Sequence, residues 1–243
     1  MARFYLPPSA VRGTSFTLSG SEAHHALHVL RKKVGDEIDL FDGKDASFTG
    51  RIERISESEI HGSLTENRVA AAVPVRVRLF QALTRGTKWE WLVEKACEIG
   101  VDAVIPVLSQ RTLIKLEHDQ LDDKLERWNR LALAASKQSG RARIMAVERP
   151  QPFSNAVAQL SVDELSLIPW EKETVQSIRQ ACETRRAAVV NVFIGPEGGW
   201  EAGEVELAKN HGVLSVRLGP TLLRTETAGL IAAALVFREF GVY

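Results

Sequence analysis

The chain has 243 residues, 44% hydrophobic and 26% charged, enough to bury a substantial core in one or two domains. Its 31 basic residues balance 31 acidic ones, so bulk charge neither demands nor excludes nucleic acid, which a local patch can bind. Two cysteines far apart in sequence, Cys97 and Cys182, argue against a disulfide scaffold or a CxxC metal site and fit a reducing compartment.

Residues 1–72 read as mostly β. Met1 to Pro8 lacks the apolar run of a secretory signal, and the apolar stretch 229–237 is too short to span a bilayer. A cytoplasmic protein with no membrane partner is therefore expected. Short strands are predicted at 15–18, 38–41, 47–55 and 59–64, with Asp42-Gly43 as a turn signal. Between the first two, Ser21 is positioned to cap a helix through Arg31. Short strands with one helix predict a small barrel, carrying nine Lys/Arg against ten Asp/Glu. Helical spacing gathers His24, His28 and Arg31 or Lys32 on one face, with Lys33 next in the chain. Two readings stand for this cluster: a solvated helix end complementing the macrodipole, or an RNA-phosphate contact. A histidine pair at i, i+4 without a nearby cysteine or positioned carboxylate is a weak zinc signal, and no metal is expected.

Residues 70–74 read as a linker, after which a second domain, 73–243, changes rhythm. Strands are predicted at 75–82, 103–108, 143–147, 165–168, 189–194 and from Leu214 onward. Helices are predicted at 87–99, stopped by Gly100, and at 119–138, 154–160, 174–184, 204–210 and 225–240. The alternation implies a mainly parallel sheet covered on both faces.

The first strand of this domain is followed by Leu83-Thr84-Arg85-Gly86-Thr87, whose single glycine rules out a GxGxxG dinucleotide motif. No GxxxxGK[ST], GxSxG or HExxH occurs. Instead, two strands end in aliphatic-Gly-Pro turns, Ile194-Gly195-Pro196-Glu197-Gly198-Gly199 and Leu218-Gly219-Pro220-Thr221-Leu222-Leu223-Arg224-Thr225-Glu226-Thr227, and a third ends at Pro169-Trp170. In a parallel sheet these turns share the carboxyl edge, where open α/β sheets bind ligands. The pocket expected there comprises Ile168, Pro169, Ile194, Gly195, Gly198, Gly199, Leu218, Gly219, Leu222 and Leu223. Such a lining suits a flat purine read by main-chain groups and offers nothing to a triphosphate; the alternative is turns that merely end strands. Thr225 is expected as an N-cap, with Glu226 complementing the helix dipole, and Arg224 can hold a phosphate or carboxylate. The helix that follows is apolar all round over 228–237, so it is expected to be buried on all sides, its small residues marking a subunit interface.

The two late motifs together resemble the RsmE family, ribosomal RNA methyltransferases of the SPOUT (trefoil-knot) superfamily. The likeness extends along the chain. His28-Val29-Leu30-Arg31 and Leu40-Phe41-Asp42-Gly43 resemble the family's PUA-like barrel, and 88–101 its first methyltransferase helix; Gln138-Ser139-Gly140-Arg141 and Pro169-Trp170-Glu171 also fit. The resemblance implies an α/β fold, a mainly parallel sheet with a C-terminal trefoil knot, behind a PUA-like β-barrel. It implies S-adenosylmethionine bound in the knot and methylation of N3 of a uridine in 16S rRNA of the small ribosomal subunit. It also implies a homodimer whose site draws on both subunits. On this reading the donor site also includes Pro196, Glu197, Arg224, Thr225, Thr227 and Ala228. Arg224 is expected to stabilise the developing uridine anion or its phosphate, with Glu197 or Glu226 as the base. Arg3, His28, Arg31, Lys32 and Lys33 would position the RNA. Thr221 stands where the family often has a basic residue, and Lys137 where an acid is common. The competing class is a non-catalytic RNA-binding or assembly factor on the same fold; an NAD-type oxidoreductase is disfavoured by the missing early glycine motif.

Overall fold

A computed structural model of the chain describes residues 2–114 and 120–243. The helix start expected at Asp119 lies outside the described residues. The chain forms two units, one of residues up to 72 together with 136–144, the other of 73–135 with 145–243. The first unit thus takes in a segment that the sequence division places in the second domain.

The first unit is built on β1 (Arg3–Tyr5), β2 (Val11–Arg12), β3 (Ser15–Leu18), β4 (Glu37–Phe41), β5 (Ala46–Ile55) and β6 (Ile60–Val69), in the sheet order β1-β4-β5-β6-β3-β2. β1 pairs with β4 in parallel, and every other pairing is antiparallel. Register shifts at Thr49/Gly50 and Ile52/Arg54 bend the long β5–β6 pair, so that alternate residues Phe16, Leu18, Ile38, Leu40, Ile52 and Ile60 close over Phe4 in one core. Gly62 permits the closure: a Cβ there would meet the Arg51 carbonyl oxygen at 2.1 Å.

The single helix departs from expectation. α1 (Gly20–His24) has Ser19, not Ser21, at its N-cap, without a side-chain cap bond, and runs into a π-helical turn over His25–Val29. The backbone N–H of Leu30 reaches back five residues to the His25 carbonyl, and that of Lys32 six residues to Ala26. This widening releases the chain from the helix, and Arg31 leaves it at φ 53°.

The second unit contains β7 (Arg76–Ala82), α2 (Thr87–Glu98), β8 (Ala103–Leu108), α3 (Leu121–Gln138), β9 (Ala146–Val147), β10 (Gln151–Pro152), α4 (Phe153–Ala158), β11 (Leu165–Pro169), α5 (Ile178–Thr184), β12 (Val189–Ile194), α6 (Ala202–Asn210), β13 (Leu214–Val216) and α7 (Thr225–Glu239). The last turn of α3 belongs to the first unit. All pairings are parallel, in the order β10-β8-β7-β12-β11-β13, with β9 also beside β8. Of the strand expected at 143–147 only β9 forms, at 146–147, and the unpredicted β10 follows beyond Pro150, which supplies no donor and disfavours regular continuation. α5 starts four residues later than expected, where Ser177 and Gln180 form a reciprocal capping box.

Strand alternation divides the core. Leu79, Val192 and Ile194 face α2 and α7, while Phe80, Ile105 and Phe193 face α4 and α6. Beyond β13, the backbone N–H of Trp170 donates to Val216 O (3.0 Å) and that of Arg217 to Gln176 O (2.8 Å). These bonds continue the parallel β11–β13 pairing and join the 170–177 loop to the chain at 216–217, after which α7 returns to pack on α2, α5, β7 and β12. No helix among the described residues is long and apolar enough to cross a membrane.

Candidate functional site

The carboxyl ends of β7, β12, β11 and β13 meet the N-terminus of α7 at one edge of the parallel sheet. The loop after β12 is shaped by its sequence. The Gly199 N–H bonds back to Pro196 O (2.9 Å), and Gly199 takes φ 70°, a conformation that favours glycine. Gly195 is held against the Trp200 indole, which a Cβ would meet at 3.1 Å. Arg111 clamps the same loop, donating to Gly198 O (2.6 Å) while pairing with Glu201 (2.6 Å).

α7 is locked onto this loop by Thr225. The N-cap position belongs to Arg224, contrary to expectation, and Thr225 is the first helical residue. Its hydroxyl is used differently: it donates to Gly195 O and accepts from Gln81 Nε2 at 3.3 Å. Gln81 is fully buried and paired in register with Ile194.

Both carboxylates singled out from sequence converge on one cation. Lys88 Nζ, in the first turn of α2, lies 3.9 Å from Glu197 Oε1 and 3.7 Å from Glu226 Oε1. Glu226 is buried and its Oε2 has no partner, whereas the Glu197 side chain is 46% exposed. Arg224 is exposed, and among the described residues its guanidinium has no hydrogen bond or ion pair.

The remaining expected lining residues separate into two groups. Ile168, Ile194 and Pro196 are buried, so what the strand ends offer a ligand is main chain; Pro169, Leu218 and Thr227 are half-buried beside them. Gly198, Gly219, Leu222 and Leu223 are exposed, Leu222 at 85%. Ala228 is buried under α7. That helix is not buried on all sides: Gly229, Ala232, Ala233 and Val236 face the sheet, while Ile231 is exposed and Leu230, Ala234 and Leu235 are half-covered. The small residues therefore serve packing within the chain.

The 170–177 loop is stapled by Glu173. Its carboxylate accepts from Ser215 Oγ (2.6 Å) and from the backbone N–H of Val175 and Gln176. These bonds, the serine foremost, hold the carboxyl down to about 2.

In the first unit, His28, Arg31 and Lys33 are exposed, and the His24 and His28 rings lie 4.6 Å apart. Lys32 donates to Glu37 O (2.8 Å). Arg3 is engaged inside the unit: its guanidinium bonds Ser47 Oγ (2.7 Å) and Arg141 O (3.2 Å) and lies over the Phe41 ring. No group of three or more potential metal ligands occurs among the described residues.

Gln81, Lys88 and Arg111 were not singled out from sequence, though two carry a signal. Gln81 continues the face of Val77 and Leu79, so it is a polar residue in a buried period-2 series. Lys88 sits in a helix's first turn, where the macrodipole disfavours a cation.

Residues 71–237 match the family described as RNA methyltransferase domain, and residues 18–65 match RNA methyltransferase PUA domain. Fold and site thus define an RNA methyltransferase of the SPOUT class with a PUA-type domain. The chain is 30% identical over 242 residues to ribosomal RNA small subunit methyltransferase E of Mycobacterium tuberculosis (strain CDC 1551 / Oshkosh), covering 96% of this chain and 90% of that protein. It is 29% identical over 232 residues to the Bacillus subtilis (strain 168) protein of the same name, covering 91% and 89%. Among solved structures, ribosomal RNA small subunit methyltransferase E from Neisseria gonorrhoeae, bound to S-adenosyl methionine, superposes with a TM-score of 0.83 at 29% identity over 97% of this chain and 96% of that one. A probable rRNA-methyltransferase from Porphyromonas gingivalis gives 0.84 at 29% identity over the whole of both. The chain belongs to the RsmE family.

Proposed function

We propose that the protein methylates N3 of a uridine in 16S rRNA of the small ribosomal subunit, in the cytoplasm, using S-adenosylmethionine. The observation that carries this reading is the junction of the 195–199 loop with α7, where Thr225 ties Gly195 to a helix start bearing Arg224 and Glu226. The named relatives and the donor-bound relative support the substrate class and the methyl donor.

The edge fits that donor. Gly195, Gly198, Gly199 and Gly219 present main chain without side chains, and a Cβ at Gly219 would meet nothing within 4 Å. Leu218 and Pro169 add apolar surface for a purine, and Glu197 and Glu226 place negative charge where a sulfonium would be favoured. The donor would be held by the ends of β11, β12 and β13 together with the first turn of α7. Once bound, it supplies an electrophilic methyl group on sulfonium sulfur.

This chain's residues supply alignment and proton management. In-line placement of N3 can contribute roughly 7–11 kcal/mol, and a positioned base about 10²–10⁴-fold. Arg224, exposed and free of partners among the described residues, stabilises the charge that develops on the uracil or holds its phosphate. Glu197 or Glu226 accepts the N3 proton. Exposed His28, Arg31 and Lys33, with Lys32, contact RNA phosphates, and Arg3 supports that surface from within. The protein acts as a homodimer; exposed Ile231 with half-covered Leu230, Ala234 and Leu235 on α7, and exposed Leu222 nearby in sequence, support this. Mass spectrometry of 16S rRNA from cells lacking the gene tests the reading: one N3-methyluridine should disappear and return with the wild-type gene but not with Arg224→Ala. An unchanged rRNA would make the protein a binding or assembly factor instead.

A further inference from the structure

We propose that Glu226, not Glu197, takes the proton from the uracil imide, and that Lys88 is the residue that positions it. The inference deepens the functional reading above and rests on it. The two carboxylates share Lys88 but differ in what is left over. Glu226 presents Oε1 to the ammonium at 3.7 Å and keeps Oε2 buried with no hydrogen-bond donor. A buried acceptor without a donor is rare in folded proteins, because water cannot satisfy it. Glu197 Oε1 lies 3.9 Å from Lys88 on a half-exposed side chain, so solvent satisfies its other oxygen.

The chemistry requires a donor that meets such an acceptor. The imide N3–H breaks with its proton passing to Glu226 Oε2. The electron pair stays on N3 and forms the new bond to the methyl carbon, while the methyl–sulfur pair leaves with sulfur. Thr84 Oγ1, just beyond the end of β7, is a second buried polar atom without a partner among the described residues.

Lys88 has a geometric role. By holding Oε1 it fixes the rotation of the carboxylate and hence the direction of Oε2. Its second partner, Glu197, belongs to the loop that Thr225 ties to α7, so loop, base and lysine form one connected piece. The cost of a cation in the first turn of α2 is offset by these two carboxylates.

The test measures single-turnover methyl transfer by the full chain to unmodified small subunits, from about pH 6 to 9, with donor binding by calorimetry and melting as parallel readouts. Glu226→Gln should lose about 10²–10⁴-fold at neutral pH and regain about tenfold per pH unit as the imide ionises unaided, with donor affinity within about twofold. Lys88→Met should lower the rate by at least about tenfold without changing donor affinity, and Lys88→Arg should restore most of it. Glu197→Gln should lose rate only in step with donor affinity and keep the wild-type pH profile. The proposal is overturned if Glu226→Gln keeps the wild-type rate, if its loss tracks donor binding or melting, or if Glu197→Gln shows the steep pH dependence. An unaltered Lys88→Met removes the lysine's role. A wild-type protein that transfers no methyl group to subunits would sink the functional reading itself, and this inference with it.

Discussion

Gly229→Ala gives a test of how α7 is seated, because two effects of opposite sign compete. In an unconstrained helix interior, alanine is favoured over glycine by about 1 kcal/mol. Here a Cβ at position 229 would lie 2.5 Å from Gln81 Oε1 and 3.2 Å from Leu79 Cδ2. Gln81 cannot easily swing away, since it is fully buried and its Nε2 donates to Thr225 Oγ1 (3.3 Å) and Thr225 O (3.4 Å). The helix must lift, and overpacking of this kind costs about 1–3 kcal/mol, so a net loss of up to about 2 kcal/mol is expected. The assay is urea unfolding followed by tryptophan fluorescence. All five tryptophans, Trp89, Trp91, Trp128, Trp170 and Trp200, belong to the second unit, so the signal reports that unit alone. A variant more stable than wild type by about 1 kcal/mol would refute the close-approach argument, leaving only helix propensity. A cycle with Gln81→Ala should show coupling of about 1 kcal/mol, because removing the amide relieves much of the clash.

Glu173 makes the 170–177 loop sensitive to acid. Its carboxyl is held at about 2 against an ordinary 4.5, so the stabilisation is fully present above about 4.5 and drains away as pH falls toward about 2. Glu173→Gln should therefore be less stable than wild type at neutral pH, with the gap closing between about pH 4.5 and 2; a gap of constant size would remove the account. In the first unit, Arg31 is exposed and without a side-chain partner among the described residues. Arg31→Glu should weaken small-subunit binding and reduce its logarithmic salt slope by about 1–2, measured by titration at several salt concentrations. Unchanged binding would take this residue out of the RNA surface.

Much of the second unit was legible because its strands carry β-branched runs between helical patterns. Val189–Ile194 shows this clearly, with Val190 and Val192 facing one core and Phe193 the other. Less was legible where the chain departs from regular periods. β1 is three residues long, too short for alternation to register, and it pairs with a strand more than thirty residues away. The helix before Arg31 widens into a π-helical turn that a spacing of 3.6 residues cannot anticipate. A trefoil knot is invisible to local pattern because it depends on which side of a loop the chain passes; only the resemblance to a family implied it.

At the candidate site, sequence identified the turns but not what holds them. Thr225 illustrates the difference. A threonine before an apolar helix reads as an N-cap, yet its hydroxyl spans to Gly195, thirty residues earlier, and accepts from Gln81, 144 residues earlier. Such a contact exists only because the chain returns to lay α7 on β7 and β12. That return has a chemical consequence. It brings the end of β7, the glycine loop and the start of α7 onto one edge of the sheet, so groups held there keep their relative placement. Alignment of this kind is a large contribution for an enzyme that transfers a methyl group to rRNA.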